Sequence, residues 1–229
     1  MQCGSHPHRT FWLIATGAAL LAFVNYGKVA FYGSFFLRNH RPALETFSAS
    51  LEQATGWSLG PIALIGVTFG LITGVCGGLG TLAGGWLADR FGRADQRRYL
   101  SVPALGAILQ FPFLAAALLT PSAGVAFVLL VFPAFLTALW YGPAQAVVQG
   151  LVRPRTRNTA AAVAQLVINV VGLAMGPVVV GLLSDAFARR LGDTGEGLTW
   201  ALITCSLAGP IAGLLFWLGR SSVREETVS

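Results

Sequence analysis

Charge is what this chain lacks most. Of its 229 residues, 10% are charged and 55% are hydrophobic, whereas a soluble domain carries about 25% charged residues. So few cannot cover a water-facing surface, which excludes an ordinary soluble domain. Cysteine is scarce as well: Cys3, Cys76 and Cys205 form no C-x-x-C pair, so neither a disulfide framework nor a metal site is expected. His6, His8 and His40 fall outside the apolar runs and read as surface residues. There is no H-E-x-x-H, no G-x-S-x-G, no P-loop and no G-x-G-x-x-G opening a helix after a strand. No carboxylate lies well inside an apolar run either, so an enzyme is not expected, nor a cofactor. The net charge of +6 raises nucleic acid as a partner. The arginines, however, sit at the ends of apolar runs, where they act as topology signals instead.

What is present is apolar sequence in long stretches. A membrane-spanning helix needs about 20 mostly apolar residues, and six segments qualify: about Phe11–Leu37, Leu59–Ala88, Leu100–Leu119, Gly124–Gln149, Thr159–Ser184 and Leu198–Gly219. They are too long for strands and lack strict alternation, which excludes a barrel. The expectation is an all-α membrane protein, with residues 1–229 forming a single six-helix transmembrane bundle. Between the first two segments, Pro42 can open a helix with Leu44, Phe47 and Leu51 on one face, so residues 42–57 read as a helix lying at the membrane surface. Thr120-Pro121-Ser122 reads as a tight turn, Arg153–Asn158 as a short basic loop with Asn158 capping the fifth helix, and Asp185–Gly197 as a polar connection. A signal peptide is the competing reading of the first segment, but that run is about twice the usual apolar core and has no obvious cleavage site.

Arginine placement sets orientation. With the N-terminus inside, the inner face holds ten arginines (Arg9, Arg90, Arg93, Arg97, Arg98, Arg153, Arg155, Arg157, Arg220, Arg224) against four outside (Arg38, Arg41, Arg189, Arg190). Both termini are therefore expected in the cytoplasm.

Polar residues inside the apolar segments are few, and in a bilayer they usually face the bundle interior or a wet cavity. Asn25, Lys28 and Tyr32 share one face of the first helix. Lys28 is the only charge inside a segment, about 24 Å along the helix from Trp12 at 1.5 Å per residue. It either snorkels to the outer interface or faces a cavity as a site for an anionic group. The fourth segment carries Tyr141, Gln145 and Gln149 at four-residue intervals, and the fifth carries Gln165 and Asn169. These either bond helix to helix or line a substrate path. Pro143, Gly172, Gly176 and Pro177 weaken the same two helices, as in transporter binding regions. Gly66, Gly70, Gly74 and Gly78, with Gly80 and Gly84, put small residues where another helix can pack closely.

Residues 85–93 read G-x-L-A-D-R-x-G-R, which resembles the cytoplasmic loop signature of the major facilitator superfamily of secondary transporters. Gly77–Arg90 supports this, with Trp140-Tyr141-Gly142-Pro143 followed by Val148-Gln149 and Arg153–Arg157, and Ile168–Pro177 running on to Gly181–Asp185. Over its whole length the chain resembles the C-terminal six-helix half of such a transporter, closest to the spinster-like branch. The resemblance implies that the first, second, fourth and fifth helices line a central cavity and that the third and sixth are outer scaffold. It implies that Gly85, Asp89, Arg90, Gly92 and Arg93 latch the two halves, with Asp89 meeting a helix N-terminus of the other half. Spinster-like proteins are proposed exporters of lysophospholipids or sphingoid phosphates, so the expected cargo is a small organic, amphipathic or anionic solute moved by alternating access. A full transporter has two such halves. The expected partners are therefore the lipid bilayer and the missing N-terminal half, the chain being a fragment inactive alone. A second copy of the chain in a half-size dimer, or a non-transporting scaffold or receptor, is the alternative. A bacterial inner membrane is the expected location.

The orientation is checked by cysteine labelling in intact cells. A cysteine placed at Ala94 should resist a membrane-impermeant thiol reagent and one placed at Thr194 should react; the opposite pattern refutes it.

Overall fold

A computed structural model of the chain describes residues 7–92, 100–143 and 162–227, apart from 164 and 167. The helices in chain order are α1 (Pro7–Asn39), α2 (Arg41–Thr55), α3 (Pro61–Leu71), α4 (Gly77–Gly92), α5 (Ser101–Leu119), α6 (Ala123–Ala138), α7 (Gly176–Leu191), α8 (Thr194–Ser206) and α9 (Ala208–Thr227). Ile72–Cys76 joins α3 to α4 as a π-helical segment, and Val170–Met175 precedes α7 as another. Six stretches of the described residues are long and apolar enough to cross a membrane: Trp12–Asn39, Pro61–Arg90, Ser101–Leu119, Ala123–Pro143, Val170–Leu191 and Thr194–Gly219. They are the first to sixth spans below. The basic loop Arg153–Arg157 and the cap Asn158 lie outside the described residues.

The connection between the fifth and sixth spans differs from the sequence expectation. Asp185, Arg189 and Arg190 end the apolar run, but a helix needs only its backbone hydrogen bonds, and α7 continues to Leu191. Gly192, at φ 76°, then turns the chain, and its N–H donates to the Ala188 carbonyl at 2.9 Å; this left-handed closure favours glycine. Asp193 caps α8 by accepting from the Gly195 and Glu196 N–H groups at 2.6 and 2.8 Å.

The first span is the hub. It packs against the second, fourth, fifth and sixth spans, and 56% of its apolar window is buried within the chain, against 11% for the second span and 22% for the fifth. One apolar cluster, around Phe35, Phe36, Leu114 and Leu198, lies at the end that carries α2. Another, around Ile14, Leu100, Trp140 and Phe216, lies towards the end that carries the termini.

Glycine decides how closely the second span can approach the fourth. A Cβ on Gly84 would sit 2.4 Å from the Leu139 carbonyl oxygen and one on Gly80 2.4 Å from that of Phe135, so the two backbones touch there. A Cβ on Gly66, Gly70, Gly74 or Gly78 would meet no heavy atom of the described residues within 4 Å; among those residues that row is a free face. Gly84→Ala should lower stability by about 1–3 kcal/mol, because backbone must move, whereas Gly70→Ala should leave it unchanged or slightly raised. Thermal unfolding in detergent measures both, and equal effects would refute the assignment of the two rows.

His40 corrects another expectation: it is buried, 4% exposed, at the α1–α2 elbow. Its ring packs at 5.6 and 5.4 Å from Phe35 and Phe36, because α2 folds back and places Leu44 in the same core. Burial pushes its pKa below 6.5, opposed by the Pro121 carbonyl. The folded chain thus favours neutral imidazole. The stability this contributes is complete above about pH 6.5 and is lost as pH falls from there through the folded pKa. Between pH 7.5 and 5.5 the wild-type melting temperature should fall by more than that of His40→Gln; parallel curves would exclude the effect.

Candidate substrate cavity

Residues three and four apart share a helix face, so α1 presents Asn25, Lys28, Val29 and Tyr32 together. They line a cavity of about 210 Å³ between the first, second and fourth spans. The second span contributes its π-helical turn, with Ile72 and Thr73 at the wall, and Phe69 before it. A π-helical turn inside a long helix is a frequent mark of a functional site. The fourth span contributes Leu130, Thr137 and Tyr141 among others. Tyr32 stacks on Phe69 with ring centroids 4.8 Å apart. Phe69 also meets Phe36 and Phe127 edge-on, at 5.6 and 5.7 Å, so an aromatic wall closes the cavity towards the α2 end.

The electrostatics turn on Lys28. It is 5% exposed, and its Nζ donates to Thr137 Oγ1 at 3.1 Å. Thr137 in turn donates to Gln110 Oε1 at 2.5 Å. Among the described residues no carboxylate lines the cavity; the pair Arg41–Glu45 is on α2, outside its lining. Lys28 is thus a buried cation held by a neutral oxygen. Its remaining donors suit an anion, because an unpaired charge in a low-dielectric site gains strongly from a counter-charge. Thr73 and Thr81 bond to their own helix carbonyls, and Thr137 to Gln110, leaving Lys28, Asn25, Tyr32 and Tyr141 as the polar lining residues for a ligand amid apolar walls.

Of the residues singled out in the sequence, Asn25, Lys28, Tyr32 and Tyr141 therefore come together. Gln165 and Asn169 do not line the cavity; Gln165 Nε2 donates to Asn169 Oδ1 at 3.3 Å on the helical residues just before the fifth span. Gln145, Gln149 and Arg93 lie outside the described residues. In the loop motif, Gly85 is approached by Gly142, whose Cβ would lie 3.3 Å from its Cα. Asp89 and Arg90 are exposed, Arg90 lies 5.7 Å over the Trp86 ring, and Gly92 is the last residue of α4. Thr137 and Gln110 escaped the sequence reading. A lone glutamine in the otherwise apolar third span was the available signal.

No family model matches the chain. It is 31% identical to an MFS-type efflux pump of Mycolicibacterium smegmatis over 197 residues, which is 86% of this chain and 45% of the pump. It is 26% identical to spinster homolog 1 of Xenopus tropicalis over 213 residues, 90% of this chain and 39% of that protein. The chain is a homologue of part of that MFS-type efflux pump. Its fold agrees with that of a bacterial homologue of the human lysosomal transporter Spinster: an inward-facing, occupied structure superposes with TM-score 0.76 at 23% identity, covering 99% of this chain and 53% of that one. The unoccupied form gives 0.75 at 24% identity, covering 95% and 48%. The chain thus spans about half the length of the relatives it matches, and its six spans adopt that fold.

Proposed function

We propose that this chain is the C-terminal half of an alternating-access transporter for an organic, amphipathic solute with an anionic group. The carrying observation is Lys28, buried at a cavity with aromatic and aliphatic walls and no acid. The match to about half of an efflux pump supports the need for a second bundle. So does the coverage of the second span, 11% of whose apolar window is buried within the chain. Its open row, Gly66 to Gly78, offers small residues to a neighbouring helix. In this reading the aromatic wall carries the apolar part of the solute and Lys28 its anionic end, with Asn25 and Tyr141 adding hydrogen bonds. The protein resides in a bacterial inner membrane with both termini cytoplasmic, and Asp89 to Arg93 engage the second bundle there. Alternating access needs two bundles moving about a site between them.

Liposome flux of a fluorescent alkyl phosphate tests this. A strictly monomeric preparation of the chain should give none. The chain joined to a complementary six-helix half should transport the alkyl phosphate in preference to an alkyl trimethylammonium. Lys28→Met in that joined protein should cut anion flux about tenfold or more, since a hydrogen bond to a charged group contributes about 1.5–3 kcal/mol. Robust flux from the monomer refutes the half-transporter reading, and flux from a crosslinked dimer of the chain favours the half-size alternative. Unchanged flux in Lys28→Met refutes the anion site.

A further inference from the structure

We infer that Gln110, on the third span, is a positioning residue that sets Lys28 for its ligand through Thr137; this rests on the reading of Lys28 as an anion site. Gln110 is 1% exposed and sits in a helix of otherwise apolar sequence. Its Oε1 accepts from Thr137, while its Nε2 is buried with no partner. A buried donor left unpaired is unfavourable, and an apolar residue of the same shape removes that penalty. Helix packing alone therefore gives no reason for a glutamine here.

Thr137 supplies the reason. A threonine inside a helix ordinarily gives its hydroxyl proton to the carbonyl four residues earlier. Thr46, Thr55, Thr73, Thr81 and Thr199 all do so in this chain. Thr137 instead gives its proton to Gln110 Oε1 at 2.5 Å and accepts from Lys28 Nζ at 3.1 Å. Its single proton is committed to the third span, so the oxygen lone pairs are held towards the cavity. The long lysine side chain is anchored at a fixed acceptor before the ligand arrives, which removes ordering that binding would otherwise have to supply. The sixth span keeps the arrangement in place. A Cβ on Gly209 would lie 3.0 Å from Gln110 Nε2 and 3.2 Å from the Ala107 carbonyl oxygen, so a larger residue there presses on the amide and on the third-span backbone beside it, and not on Lys28 or Thr137.

The test is a double-mutant cycle on the chain joined to a complementary six-helix half in lipid nanodiscs, with decyl sulfate as probe, decyltrimethylammonium as control and empty nanodiscs as baseline. Gln110→Met should weaken decyl sulfate binding about three- to tenfold, consistent with lost preorganisation, and leave the melting temperature equal or higher. Gly209→Ala should weaken it in the same direction. In a Lys28→Met background, Gln110→Met should have no further effect on binding. If Lys28→Met leaves binding unchanged, or the wild type shows none, the anion-site reading falls and this inference with it. If Lys28→Met weakens binding but Gln110→Met does not, the inference alone falls. It also falls if Gln110→Met weakens binding equally in both backgrounds, or if it unfolds the chain, because the glutamine is then structural.

Discussion

A cation buried among apolar helices has to be held by something, and that constraint organises the centre of this bundle. Lys28 reaches Thr137, and Thr137 reaches Gln110, so one polar chain ties the first, fourth and third spans together. The chain ends without a carboxylate. The centre is therefore satisfied by neutral oxygens and keeps an unspent positive charge facing the cavity. In a low-dielectric interior such a charge is costly to hold and strongly attractive to an anion. Neither property would be of use on a water-facing surface, where screening would remove both.

Around that centre, association cannot rely on the hydrophobic effect, because lipid tails are as apolar as leucine; close backbone packing takes its place. The second span uses two rows of small residues differently. Gly80 and Gly84 press against the carbonyls of Phe135 and Leu139 and lock the second span to the fourth. The row from Gly66 to Gly78 is unopposed among the described residues. The π-helical turn at Ile72–Cys76 lies between α3 and the Gly80–Gly84 contact, and its first residues line the cavity. One helix thus carries a fixed contact, a cavity wall and a free face along its length.

By itself the sequence determined the class of the protein: six apolar runs with 10% charge leave helices in a membrane as the solution, because backbone groups in lipid must be satisfied within the segment. It also put Asn25, Lys28 and Tyr32 on one face, since helical spacing is local. Where the α7–α8 turn falls was not legible, because charges mark the end of hydropathy and not the end of a helix. Nor was the burial of His40, which depends on α2 folding back onto the bundle. Only the tertiary structure decided which glycine row is packed, since both rows have the same spacing. It also separated Gln165 and Asn169 from the cavity and brought Gln110 to Thr137 from 27 residues away. Those outcomes depend on the rotation of each helix about its own axis, which is set by contacts between spans and leaves no periodic trace in the sequence of any one of them.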